Sequence, residues 1–142
     1  MTLAALIERL RQTALAQPAV QTVVDADVFR LNAMPDVKYG VFAWQQQLHR
    51  VNVRNSFVTY AFTLFYIDRL TESGDNEVEV QSVGMSVLTN IIRAFADEMD
   101  VSDWSAQAFT QRFADLCAGV YAQVTFTVAA DYTCEDNLLT IQ

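Results

Sequence analysis

Residues 56–70 read SFVTYAFTLFYIDRL, the longest run of β-forming side chains in the chain. Strand alternation puts Val58, Tyr60, Phe62, Leu64 and Tyr66 on one face and Phe57, Thr59, Ala61, Thr63, Phe65 and Ile67 on the other. Both faces are mostly apolar, which predicts a central strand covered by helix on one side and partly shielded on the other. Fully extended at about 3.3 Å per residue, the run would reach roughly 50 Å, so it is expected to bend or to project as an arm past its own domain.

The remaining pattern supplies its partners. Leu3, Leu6, Ile7 and Leu10 recur at helical spacing, Thr2 can cap the start and Pro18 follows the last turn, so an amphipathic helix is expected over 2–16. Residues 22–32 (TVVDADVFRLN) alternate imperfectly and predict a strand. After the turn signal Met34-Pro35-Asp36, residues 37–53 predict another, with Phe42, Trp44 and Leu48 on one face and Gln45, Gln46 and Gln47 interrupting its hydrophobicity. Turn chemistry at 52–56 joins it to the long strand as an antiparallel hairpin. Beyond the loop TESGDN, with Asp75 or Asn76 as N-cap, Val80, Val83, Val87, Ile91 and Phe95 recur at threes and fours with Leu88, Ile92 and Met99 alongside. This predicts a long helix over 77–99, whose stripe is wider than one sheet contact needs. Gly84 within it is read as close packing on the sheet. Phe109, Phe113 and Leu116 predict a short helix ended by Gly119, and from Val120 to Tyr132 apolar side chains alternate with Tyr121, Gln123, Thr125 and Thr127 in the cleanest strand pattern of the chain. The expected architecture is a single α+β domain over 1–142. Its antiparallel sheet, with a long β-hairpin, is packed by the N-terminal and central helices and followed by an apolar tail at about 133–142.

Composition narrows the function. The 142 residues are 52% hydrophobic and 18% charged, which leaves apolar surface for partners, and 17 acidic against 9 basic residues give a net charge of −8. Nucleic-acid wrapping needs clustered Lys and Arg, and the nearest grouping is only His49, Arg50 and Arg54. Glu8, Arg9 and Arg11 interrupt any secretory-signal pattern and no apolar run spans a bilayer, so a cytosolic site of synthesis is expected, with Cys117 and Cys134 as thiols.

Reactive chemistry is sparse. Asp68, Glu72, Asp75, Glu77 and Glu79 crowd the strand-to-helix junction but fit no calcium-loop spacing, and the last three suit a helix N-terminus. Asp68 and Arg69, near the end of an apolar strand, need solvent or a partner, and an ion pair within or between subunits is expected. His49 has no nucleophile motif beside it, and no phosphate-cradling glycine motif occurs. Trp44, Tyr60, Phe62 and Tyr66 read as core or interface aromatics rather than a base-stacking platform. No enzyme activity, cofactor or metal is expected.

The order of elements resembles the tail-terminator and tail-completion proteins of tailed bacteriophages. Three stretches, 60–70 (YAFTLFYIDRL), 75–83 (DNEVEVQSV) and 113–127 (FADLCAGVYAQVTFT), resemble phage proteins of Bacteroides-type hosts, including neck or tail ring proteins of crAss-like phages. The resemblance implies a structural virion protein of the neck or tail connector, present in the host cytoplasm during assembly. It would form a homo-oligomeric ring, of about six or twelve subunits, that joins portal and tail virion proteins around a channel. DNA would pass through it without specific binding, aided by the acidic balance, and no membrane is involved. Ring closure needs a heterologous interface, for which the candidates are Phe42, Trp44, Tyr60, Tyr66, Asp68 and Arg69 on the hairpin strands, Leu88 and Ile92 on the helix, and Leu138, Leu139 and Ile141 in the tail. The alternatives are a non-viral cytosolic adaptor, or a small ligand-binding or metal-dependent domain using the junction carboxylates and Tyr66.

Overall fold

The computed structural model describes residues 1–25, 38–112 and 116–130. The chain is an α+β fold, with two helices on a mixed, seven-stranded sheet among the described residues. Its elements are α1 (Leu3–Leu15), β1 (Thr22–Asp25), β2 (Val41–Gln46), β3 (Arg50–Asn52), β4 (Phe57–Arg69), α2 (Glu77–Ala96), β5 (Asp100–Val101), β6 (Ala106–Arg112) and β7 (Leu116–Ala129). The sheet order is β1-β2-β4-β7-β5, with β3 also beside β4 and β6 also beside β7. Among the described residues β1 and β2 run parallel, so the sheet is mixed rather than wholly antiparallel as expected, and the other pairs are antiparallel.

The long apolar run is the centre of this sheet. Every position from Phe57 to Arg69 faces a residue of β7, from Ala129 back to Cys117. On its other side β4 meets β3 with its first residues and β2 with its last. The expected projecting arm is therefore absent from β4: paired backbone groups hold it inside the sheet, since leaving them unpaired away from water costs free energy.

The two faces differ as the alternation requires. Phe42, Trp44, Tyr60, Phe62, Leu64 and Tyr66 join Val120, Ala122, Val124 and Phe126 under the helices. From α1 come Leu6, Leu10 and Ala14, a one-sided i, i+4, i+8 stripe, and from α2 come Val80, Val87, Leu88, Ile91, Ile92 and Phe95. Each fully buried aliphatic or aromatic side chain stabilises this layer by about 1.5–3 kcal/mol. Thr2 caps α1, its hydroxyl accepting from the Ala5 amide at 3.2 Å. Asn76 precedes α2 but its side chain ties the loop instead, accepting from the Thr71 amide at 2.9 Å. On the opposite face Val41, Ile67 and Cys117 are buried beside Val24, Tyr39, Phe65 and Phe109.

The short helix expected around Phe109 does not form. Residues 106–112 are strand β6, paired along β7 from Ala122 back to Leu116. Phe109 faces Gly119 in the ladder rather than a helical neighbour, because β7 pairs along the whole of β6. Gly119 is likewise mid-strand, not a helix stop: a Cβ there would lie 1.8 Å from the Tyr66 carbonyl oxygen. Strand β1 covers the first four residues of the expected 22–32 strand, and the rest of that stretch and the 133–142 tail lie outside the described residues.

Candidate functional site

Most of the aromatic and aliphatic interface candidates belong to the chain's own interior. Phe42, Trp44, Tyr60, Tyr66, Leu88 and Ile92 are all buried under or within the helix layer. This corrects their assignment as interface residues, because a side chain already covered by its own chain has no surface to give a neighbour. A two-layer α+β fold of this size uses its largest apolar groups for the core first. Leu138, Leu139 and Ile141 lie outside the described residues.

Asp68 and Arg69 sit at the far end of β4. The Asp68 carboxylate accepts from the Tyr66 hydroxyl at 3.3 Å and from the Arg69 amide at 2.8 Å, while the Arg69 guanidinium lies 4.9 Å from the centre of the Tyr39 ring. Burial, reinforced by the Asp68 charge and hydrogen bond, raises the Tyr66 phenol well above its ordinary value. Tyr66 thus stays protonated and donates. The neighbouring acidic loop closes on itself: Asp75 accepts from the Thr71 hydroxyl at 2.7 Å, and hydrogen bonds from Thr71 and Ser73 hold its carboxyl below the usual range. Among the described residues no group of three or more His, Cys, Asp and Glu side chains is placed to hold a metal ion.

The distinctive surface is the sheet face away from the helices. Its floor is set by two interruptions at the same level. Between β2 and β3, residues 47–49 stand opposite only Tyr60 and Ala61; between β5 and β6, residues 102–105 stand opposite 123–125. Each is a one-residue excess of the kind that leaves a partner-strand amide unmatched. A side chain supplies the missing acceptor in both places. His49 Nδ1 accepts from the Ala61 amide at 3.1 Å, and Ser102 Oγ accepts from the Thr125 amide at 3.0 Å. Ala61 and Thr125 are themselves cross-strand partners. The His49 bond fixes its tautomer: Nδ1 is the acceptor, so Nε2 carries the proton donated to Gln46 Oε1 at 3.0 Å.

Between these interruptions lies a shallow depression of about 480 Å³, bordered by Gln47, Ala61, Ser102, Asp103, Gln123 and Thr125. Leu48, Phe62 and Val124 complete its lining, in which Asp103 is the one charged residue. Gln47 Nε2 donates to the buried Thr63 hydroxyl at 3.0 Å, and the Thr59 and Thr127 hydroxyls approach at 3.4 Å. On this face β4 from Phe57 to Ile67 and β7 from Cys117 to Ala129 carry no charged side chain.

The hairpin tip is apolar and exposed. Leu48, Val51 and Val53 are 75%, 67% and 83% exposed. Leu48 does not share the buried face of Phe42 and Trp44, because the extra residue at 47–49 breaks the alternation. Arg50 and Arg54, also exposed, flank these positions. The sequence reading weighed these arginines only as a nucleic-acid footprint; their place at a sheet edge follows from the register of β3 on β4, which no local pattern carries.

No protein-family model matches the chain, and no curated protein matches it. Among the described residues no helix is long and apolar enough to cross a membrane.

Proposed function

We propose that the chain is a structural assembly subunit, a ring-forming component of the neck or tail connector of a tailed bacteriophage, docked between portal and tail proteins. The observation that carries this reading is the uncovered sheet face. In a chain of net charge −8, the two longest strands carry no charge there between Phe57 and Ile67 or between Cys117 and Ala129: Thr59, Ala61, Thr63, Gln123, Thr125 and Thr127 form a polar band beside an apolar end where Ile67 and Cys117 are buried.

Such a band suits the wall of a passage for a polyanion. Binding to phosphates comes from Lys and Arg that displace counterions, and a neutral polar wall supplies none. The acidic remainder of the surface repels phosphate at longer range. Helices occupy the opposite face, so a ring that turns the bare sheet inward places both helices outside.

Imaging of the full chain, purified and concentrated, tests the reading. Annular particles with an open centre are the expected result. Irregular aggregates, or particles with no central opening, would contradict it. Duplex DNA should show no retention by the assembled species at physiological salt.

A further inference from the structure

Strand β1 ends the sheet on one side and β6 on the other, and four rows of paired residues run unbroken between them across five strands. One row passes from Thr22 through Val41, Ile67 and Gly119 to Phe109, and the next from Val23 through Phe42, Tyr66 and Val120 to Ala108. The third and fourth join Val24 to Gln107 and Asp25 to Ala106. The two edges therefore stand at one level, about 19 Å apart at the usual strand spacing. Their directions are opposed, because β1 is parallel to β2 and three antiparallel pairings lead from β2 to β6. Strand β3 lies one position inside β1 and takes no part in this edge.

Among the described residues no strand pairs with the outer side of β1 or of β6. An open edge is a template for a further strand unless charge, proline or a bulge blunts it. Strand β6 has no proline and no charge before Arg112, and β1 has no charge before Asp25. On the bare face the apolar cluster around Val41 and Ile67 runs out to Val24 at one edge and to Phe109 at the other, and both are only partly buried.

The helix layer is cut off in the same way. Helix α1 lies against β1, and α2 begins over β6, where the Thr110 hydroxyl donates to the Glu77 carboxylate. The helices meet each other through Arg9, paired with Glu98, and through Gln17, which accepts from Asn90 at 3.3 Å. By the 3.6-residue repeat, Leu15 lies on the flank of α1 away from Arg9, and Val78 and Met85 lie on the flank of α2 away from Asn90. These three apolar side chains are 51%, 76% and 41% exposed. Leu15 ends α1 just before the chain enters β1, and Val78 starts α2 beside β6, so both stand near the level of the four rows.

We propose that copies of this chain associate side by side, β1 of one copy pairing antiparallel with β6 of the next while α1 packs beside the next copy's α2. The occupant is a second copy because one chain supplies both halves of the contact, matched in level, strand direction and apolar side chains in both layers. The contact is heterologous, and both edges of every copy are covered only when the series closes. This deepens the ring reading by naming its interface, and rests on that reading only for closure.

Disulfide capture on the full chain tests it. In register, Val24 stands directly opposite the next copy's Gln107, with Cα atoms about 4.5–5.5 Å apart, inside the disulfide range. V24C and Q107C are made in separate chains that also carry Cys134→Ser, which leaves the buried Cys117 as the other thiol. Mixed and mildly oxidised, they should give at least about tenfold more covalent dimer than either alone. The chain carrying both cysteines should give a ladder that stops at the ring size. Ala108→Lys, at an exposed position of β6, should weaken wild-type assembly at least about tenfold by sedimentation, as a charge set into a pairing edge. A mixture that cross-links no better than its components, in a chain whose wild type assembles, overturns the edge pairing and leaves a ring built through other surfaces. Assembly that Ala108→Lys reproduces unchanged does the same. A ladder without a limiting size supports the pairing and contradicts the ring, and a wild type that stays monomeric at every concentration overturns both.

Discussion

Tyr66 is a centre of the packing, and three of the chain's four glycines stand against it. A Cβ at Gly40 would stand 2.8 Å from its hydroxyl, one at Gly84 would stand 3.0 Å from its ring, and one at Gly119 would meet its carbonyl oxygen. Ring, hydroxyl and backbone of one residue thus each lie beside a missing Cβ, with the Ala19 carbonyl oxygen closer still at Gly40 and Val120 at Gly84. Gly84→Ala shows which effect wins. Alanine should favour the helix by about 1 kcal/mol, but its methyl group would also press on Val120 at 2.7 Å. Overpacking of this kind costs about 1–3 kcal/mol, so the net change should be destabilising, measured by denaturant unfolding. Tyr66→Phe should cost only about 1 kcal/mol or less, because the hydroxyl bonds to Ala19 and Asp68 are long, at 3.5 and 3.3 Å. Arg9 and Glu98 give a pH signature. Arg9 hydrogen-bonds Glu98 and holds its carboxyl below the usual value, while Glu98 raises the guanidinium. A depressed carboxylate contributes stability above its unfolded value and loses it as pH falls through the folded one. Glu98→Gln should therefore lower stability slightly at neutral and alkaline pH and flatten its fall on the acid side. The pair is exposed, so the effect should be small and should fade in salt.

At the scale of elements, the two interruptions are the features that shape the bare face. His49→Ala leaves the half-buried Ala61 amide without its acceptor and should cost about 1–2 kcal/mol. Ser102→Ala removes the corresponding bond to Thr125 at a more exposed place, where water replaces it, and should cost less. Amide exchange should report each loss locally, at Ala61 and at Thr125. Elements with an unbroken pattern were legible in the sequence: α1, α2 and β4 formed near the expected limits, because one face of each meets the core throughout, whereas β7 begins at Leu116, four residues earlier, in a stretch that had read as helix. Strand β6 was not legible. Ala106, Ala108 and Thr110 offer no strong alternation, and Phe109 with the residues beyond it imitates helical spacing. What makes β6 a strand is the ladder of β7 beside it. The aromatic residues of β2 and β4 were read as candidates for an interface because they are large and apolar. The burial of their face by α1 and α2 is a tertiary fact that the strand pattern does not assign to self or partner.

For the whole molecule, function follows from what the sheet leaves unfinished. The helices complete one face and leave the other bare. None of this was legible locally, since Thr22, Val41, Ile67, Gly119 and Phe109 are brought into one row only by the register of four strand pairs. The most direct measurement is imaging of the full chain, purified and concentrated. The account predicts annular particles with an open centre; irregular aggregates, or particles without a central opening, would contradict it.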